Sequence, residues 1–192
     1  STVATNAVLE RSGARVAFIT TQGFRDILFM QRSNRHLVFE LAYQKPVPIV
    51  QRRDCFEVAE RIIADGSVET PIDLDAVEQT LFSALANGGY EAVSICLLNA
   101  YANPEHEEAL RELFTCHLPE VLVTLSSEVT REFREFERAS TTTLSAYVQP
   151  VIDQYIGRFS ARLAENRFDG RFSVMQSNGG RLPAENMQHN AI

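Results

Sequence analysis

The sequence predicts an α/β fold: a mixed, partly parallel sheet with flanking helices and one long kinked helix. Three observations carry this. Ala92-Val-Ser-Ile-Cys-Leu-Leu98 is a continuous apolar run, the composition of a strand covered on both faces of a parallel sheet. Strand, helix and strand follow one another from there to Leu125, which is a βαβ unit and should cross over right-handed. From about Phe136 to Glu165 apolar residues recur with helical period on both sides of Pro150.

Taken in order, Thr2 to Ser12 has good helix formers with Ala4 and Val8 on one face, closed by Gly13 at the C′ position. Arg15 to Thr20 is a short β-branched and aromatic run, hence a buried strand. The hydroxyls of Thr20 and Thr21 can cap a helical turn through Ile27 and Leu28. Gln31 to Arg53, with Pro46 and Pro48, reads as an irregular excursion in which Leu37 to Phe39 could pair locally. Phe56 to Ile62 alternates like one half-exposed strand. Asp65-Gly66 is a hairpin signal, with a return strand over Ser67 to Thr70.

Asp73 or Asp75 caps the next helix, whose stripe is Leu74, Val77, Leu81 and Leu85 and whose stop is Gly88-Gly89. Asn103 then Pro104 give an N-cap and an N1 proline for a helix carrying Ala109, Leu110, Leu113 and Phe114, ended by Pro119. Val121 to Leu125 is the following buried strand. The long helix keeps its stripe in phase across Pro150, so a kink near Ala146 to Pro150 is expected rather than two abutting helices. Phe172 to Gln176 is a final buried strand, and Ser177 to Gly180 turns towards a helix start at Pro183-Ala-Glu185.

Composition sets limits on function. A chain of 192 residues can bury a core for one domain, or one and a fraction. Its net charge of -7 disfavours nucleic acid, which usually needs a basic face. No apolar run approaches the ~18 residues of a membrane span, and the polar N-terminus is no signal peptide. Cys55, Cys96 and Cys116 lack paired spacing, so free thiols in a reducing, cytoplasmic compartment are expected, with Cys96 a buried small hydrophobe. The chain has no initiator Met and stops abruptly at Asn190-Ala-Ile192, so it reads as a piece of something longer.

Several segments could carry chemistry, each with a plain structural alternative. Ser177-Asn178-Gly179-Gly180, at a strand-to-helix turn, could bind an anion or be a tight turn only. Glu137-Arg138-Ala-Ser-Thr-Thr-Thr143 clusters hydroxyls where they cost helix propensity, either for a ligand or partner or for capping and interhelical packing. Arg131 to Arg138 reads as a solvated salt-bridged face, although Arg134 or Arg138 could hold an anion. Thr20 to Asp26 sits at a strand's carboxyl end, where open α/β sheets place ligands, or is a capping turn with an Arg–Asp pair. The four histidines, His36, His106, His117 and His189, read as neutral surface or cap residues, and no metal site is expected. No phosphate loop, nucleophile elbow or complete triad occurs.

Five motifs come in one order: Thr2-Val-Ala-Thr-Asn-Ala-Val8, Thr20-Thr-Gln-Gly-Phe-Arg-Asp26, Ala102-Asn-Pro-Glu-His-Glu107, Glu137-Arg-Ala-Ser-Thr-Thr142 and Met175-Gln-Ser-Asn-Gly-Gly180. Together they resemble the A-type subunit of the hydantoinase/oxoprolinase family, which takes in N-methylhydantoinases, 5-oxoprolinases and acetone-type carboxylases. The resemblance implies part of an actin-like (ribonuclease H-like) ATPase core. It also implies ATP-dependent hydrolysis of cyclic amides, with ATP and Mg²⁺ held by two phosphate loops outside this chain and a B-type subunit as partner. On that reading the fragment is inactive alone. The alternatives are a ketone carboxylase subunit, a non-enzymatic assembly or binding domain, and a sugar-kinase-like ATPase, the last not fitting Met175 to Gly180.

The catalytic residues are left open. Residues implied for substrate or nucleotide contact are Arg25, Asp26, Arg138, Thr141, Thr142, Gln176, Ser177, Asn178, Gly179 and Gly180, as positioning and charge-neutralising groups. The chain has Arg35-His36 where members of the family often have Arg-Pro, in a loop where substrate class is expected to differ. Residues 1–132 are expected to form an α/β segment with a hairpin excursion and a βαβ unit. Residues 133–192, with the long helix, a strand and the Gly-Gly turn, are expected to start the next core subdomain.

Overall fold

The computed structural model describes residues 2–32, 39–175 and 180–183. Its elements are α1 (Val3–Leu9), β1 (Val16–Thr21), α2 (Ile27–Met30), β2 (Cys55–Val58), β3 (Arg61–Ile62), β4 (Val68–Thr70), α3 (Leu74–Gly88) and β5 (Ala92–Cys96). They continue with α4 (Glu105–His117), β6 (Leu122–Leu125), α5 (Ser126–Val129), α6 (Glu135–Glu165), β7 (Ser173–Met175) and β8 (Arg181–Pro183). The main sheet has the order β2-β1-β5-β6 and every pair in it is parallel. Antiparallel pairing is confined to two hairpins, β3-β4 and β7-β8.

All six residues of β1 and all five of β5 are buried, as their apolar runs predict. Successive side chains point to opposite faces. Val16, Phe18, Ala92 and Cys96 enter one core with Ala7, Ala139, Ala146 and Tyr147, and thus face α1 and α6. Ala17, Ile19, Val93, Ile95 and Leu97 enter the other, with Val77, Leu81 and Leu85 of α3 and Leu110 and Phe114 of α4. Each large aliphatic or aromatic side chain so covered contributes about 1.5–3 kcal/mol. The three-layer α/β sandwich rests on these two cores.

Helix α3 follows its sequence cues: Asp73 accepts the Ala76 N–H at 3.0 Å and Gly89 takes φ +64°. Asn103 accepts the Glu105 N–H at 3.1 Å, but α4 begins at Glu105 with Pro104 in the cap position, one residue later than expected. Elsewhere the chain departs from expectation. The left-handed residue after α1 is Arg11 (φ +56°), not Gly13. Gly13 is required by close approach instead, since a Cβ there would lie 2.3 Å from the Tyr147 ring. The Thr20 and Thr21 hydroxyls do not cap α2, which has no side-chain cap.

Phe56 to Ile62 is two strands, not one. Residues 55–58 join the main sheet, and the chain then turns at Ala59 and the buried Glu60 to begin the hairpin. Alternation alone cannot register that break, because Glu60 is a polar residue pointing inward. The hairpin turn itself sits at Asp65-Gly66 (φ +87°), as read. Between residues 39 and 51 the described chain has no helix or strand, in keeping with an irregular excursion; Leu37 and Val38 lie outside the described residues.

Helix α6 runs unbroken for 31 residues with Pro150 inside it, so two abutting helices are ruled out. Pro150 has no N–H for the Ala146 carbonyl. Beside that gap the Tyr147 carbonyl accepts the Ala14 N–H at 2.9 Å, tying α6 to the start of β1. Small and hydroxyl side chains let α6 lie close over β5, with Ser94 Oγ and Thr143 Oγ1 3.3 Å apart. β7 is exposed rather than buried, and Pro183 ends up in β8 rather than at a helix start. β7 is therefore followed by an antiparallel strand where the sequence reading expected a helix; Gln176 to Gly179, between them, lie outside the described residues.

Candidate functional site

The chain leaves β1 for β2 on one side of it and leaves β5 for β6 on the other. The connections diverge between β1 and β5, and crevices at such a switch point, beyond the carboxyl ends of the strands, are where open α/β sheets bind ligands. A crevice lies there, about 190 Å³ when its opening to solvent is counted, with enclosed room for about one water molecule. Thr20 of β1, Cys96 and Leu98 from the end of β5, Phe24 and Ile27 from the β1–α2 turn, and Arg138 from α6 line it.

Arg138 is wholly buried. Its Nη2 donates to the Leu97 carbonyl and lies 3.5 Å from Cys96 Sγ. The Tyr101 ring stands 5.4 Å from its guanidinium carbon. Nε and Nη1 have no hydrogen-bond partner, and among the described residues no carboxylate pairs with it. A desolvated charge left partly unmatched costs several kcal/mol. Burial pushes the neighbouring Cys96 thiol up to about 11, although Arg138 favours its thiolate. Thr142 Oγ1 donates back to the Arg138 carbonyl at 2.7 Å, which settles one hydroxyl of the Thr141–Thr143 run as local bonding.

Two buried acids frame the same strand ends. Glu107 accepts the Leu97 N–H at 3.0 Å, the Ser126 hydroxyl at 2.6 Å and the Ser127 N–H at 2.9 Å. Desolvation raises its pKa above the usual carboxylate value against the pull of those donors. Glu60 accepts the Thr21 hydroxyl on one oxygen, while its other oxygen lies 2.7 Å from His106 Nδ1. Thr21 Oγ1 in turn accepts the Leu98 N–H at 2.9 Å. These contacts fasten β1, β5, α4 and the β2–β3 link at the carboxyl ends of the strands.

His106 is thus a buried, acid-paired residue and not a surface histidine. His117 is exposed beside Glu78, and His36 and His189 lie outside the described residues. Arg131 to Arg134 are solvated as read, but Arg138 is not. Arg25 and Asp26 turn away from the crevice. Arg25 Nε and Nη2 donate to the Arg52 carbonyl at 3.2 and 3.0 Å. Asp26 is paired with the Arg52 guanidinium at 2.6 and 3.1 Å, which holds its carboxyl below the usual range. Thr141 is half-buried and Thr142 buried. Gly180 is half-buried just ahead of β8; Gln176, Ser177, Asn178 and Gly179 lie outside the described residues.

Sequence reasoning missed Glu60, His106 and Glu107. For Glu107 the signal was there: with Leu110 and Phe114 it falls at i, i+3 and i+7, on the buried face of α4. Among the described residues no group of three or more metal-ligating side chains converges, and no helix is long and apolar enough to cross a membrane.

Residues 1–118 match the family described as hydantoinase/oxoprolinase N-terminal region, and residues 138–192 match the one described as hydantoinase/oxoprolinase. A protein of Methanocaldococcus jannaschii is 39% identical over 86% of the chain and 24% of its own length. The alpha subunit of caprolactamase from Pseudomonas jessenii is 31% identical over 100% of the chain and 28% of its own length. The gamma subunit of acetophenone carboxylase from Aromatoleum aromaticum is 33% identical over 94% of the chain and 26% of its own. The crystal structure of the ATP-dependent caprolactamase superposes with a TM-score of 0.85 over 96% of this chain and 27% of that one. The chain spans about a quarter of the length of these relatives.

Proposed function

The chain belongs to the hydantoinase/oxoprolinase family, and from that premise we propose that it is part of an ATP-dependent hydrolase opening cyclic amides of the hydantoin or 5-oxoproline type. The observation that carries the reading is the switch-point crevice with a buried guanidinium in its wall, in a chain 31% identical to a caprolactamase subunit. A lactam is a neutral, poorly electrophilic amide, so its opening needs charge stabilisation at the carbonyl or on an activating group. A preorganised cation in a crevice sheltered from water supplies it.

The residues described here do not by themselves fit a magnesium–triphosphate group. They include no glycine-rich phosphate loop and no converging carboxylate cluster. ATP and Mg²⁺ therefore belong to parts of the protein outside these residues, and this chain supplies the cleft wall. Arg138 neutralises charge there, while Thr141 and Thr142 hold the helix end that presents it. Arg25 and Asp26, with Arg52, brace the turn carrying Phe24 and Ile27. Gln176 to Gly180 complete the ligand-contacting set. Residues 133–192 open the next core subdomain, and a B-type subunit is the partner.

The test is ATP hydrolysis by the full-length protein with its partner, measured against added 5-oxoproline, hydantoin and caprolactam. ATP turnover coupled to ring opening is expected with at least one of them, and none by the 192 residues alone. Ketone-dependent turnover with bicarbonate, and none with any lactam, would favour the carboxylase reading suggested by the acetophenone carboxylase subunit. ATP hydrolysis by the isolated 192 residues would overturn the assignment of the nucleotide site to other segments.

A further inference from the structure

We propose that Arg138 is the receptor for a small oxyanion, a carboxylate or phosphoryl group, that enters the crevice between β1 and β5. The inference rests on reading that crevice as ligand-facing, and not on which cyclic amide is used. Guanidinium carries five N–H donors and cannot shed its proton in a protein. The two on Nη2 are taken up by the Leu97 carbonyl and Cys96 Sγ. The single N–H of Nε and both of Nη1 are buried and unmatched. The protein has spent core volume on a full charge and left more than half of its donors vacant.

The surroundings do not explain this as packing. The Tyr101 ring offers only a π face. Glu107 acts on the other side of Leu97, accepting its backbone N–H while Arg138 donates to its C=O. Glu107 is already engaged by three donors and makes no ion pair with Arg138. Glu135, one turn earlier, also lines the crevice without pairing with Arg138. Every other lining group named above is apolar or weakly polar, apart from the Thr20 hydroxyl. A single anionic oxygen group would satisfy vacant donors on one edge of the guanidinium and cancel the charge. Charge-assisted bonds of this kind are what carboxylate and phosphate recognition by arginine uses.

The experiment is thermal unfolding of the full-length protein titrated with sodium phosphate, and separately sodium acetate, against sodium chloride at matched ionic strength. A saturable rise in Tm of about 3 °C or more over chloride is expected for at least one oxyanion. Phosphate alone would point to a phosphoryl source and acetate alone to a carboxylate. Arg138→Met should abolish the rise yet melt, without oxyanion, at or above the wild-type Tm, because an unmatched buried charge has been removed. Arg138→Lys, which keeps the charge but not the fork, should fold and require about tenfold more oxyanion for half-saturation. Glu135→Gln should keep or strengthen the response.

Wild-type curves in phosphate and acetate that coincide with chloride would overturn the proposal, whatever the variants do. So would an undiminished rise in Arg138→Met or Arg138→Lys. Lactam-coupled ATP turnover without any oxyanion effect sinks this inference alone. An oxyanion effect lost with Arg138 but no lactam turnover sinks the hydrolase reading alone.

Discussion

Glu107 and Arg138 hold the backbone N–H and C=O of one residue, Leu97, from opposite faces of the sheet. Both side chains are wholly buried and charged types, yet they are treated differently. Glu107 has three donors at 2.6–3.0 Å and reads as a structural anchor joining β5 to α4 and α5. Arg138 has half a coordination shell and faces a crevice. Burial is therefore no guide to role by itself. The number of unmatched polar atoms is the better one, since a satisfied buried charge stabilises its surroundings while an unsatisfied one waits for something.

The strongest way to break this contrast is Glu107→Ala. It strands the Leu97 N–H, the Ser126 hydroxyl and the Ser127 N–H and opens a cavity, and should cost about 3–5 kcal/mol by urea unfolding. A loss below about 1 kcal/mol would mean that the anchor reading is wrong. Thr21→Val probes the second satisfied acid and should cost about 2–3 kcal/mol, because it leaves the Leu98 N–H and one Glu60 oxygen unmatched. If instead it stabilises, the Thr21–Glu60 contact is not an anchor. Gly13→Ala tests the face on which α6 sits. Its new methyl meets the Tyr147 ring, and about 1–3 kcal/mol should be lost unless the helix can withdraw.

The smallest expected effect is on pH dependence. Burial raises the Glu107 pKa above its ordinary 4.5, so the folded state holds that proton more tightly than the unfolded chain. Its contribution is favourable below 4.5 and erodes as pH rises through the folded value. Glu107→Gln should flatten that slope, seen as the difference between wild-type and variant urea midpoints from pH 4 to 7. Asp26 works in the other direction. Its lowered pKa supports stability above 3.8, lost as pH falls below that, and Asp26→Asn should remove only the acid limb.

The fold was largely legible because apolar period and capping residues dictate it. Ala92 to Cys96, Asp73 ahead of α3 and Asn103 ahead of α4 all did locally what their chemistry requires. The site was legible only in part. Arg138 belongs to a run of alternating charges that reads as solvated, and nothing within that run sets it apart. Helical phase does: Arg138, Thr142, Ser145, Gln149, Ile152 and Ile156 lie on one buried stripe of α6, polar at one end and apolar at the other. Glu60 and His106 come together across 46 residues of sequence, a meeting that only the packing of α4 beside the β2–β3 link creates. Arg25 and Asp26 lie beyond the end of β1, where the sequence puts them, but their engagement by Arg52, 26 residues on from Asp26, was not legible in it.

The strand order carries a consequence for the chain as it is made. β1 lies at the centre of the sheet, and neither of its neighbours is close in sequence: Phe18 pairs with Cys55, and Val16 with Ala92. Val16 and Ala92 are 92 − 16 = 76 residues apart, as are Arg15 and Glu91, which also bond. At ribosomal speeds of about 5–20 residues per second, β1 waits about 4–15 s for β5. Through that interval an apolar strand has no native partner on one side, and until residues 55–58 are made it has none on either. The open edge of β1 is then exposed to other chains, and the arrival of residues 92–96 closes it.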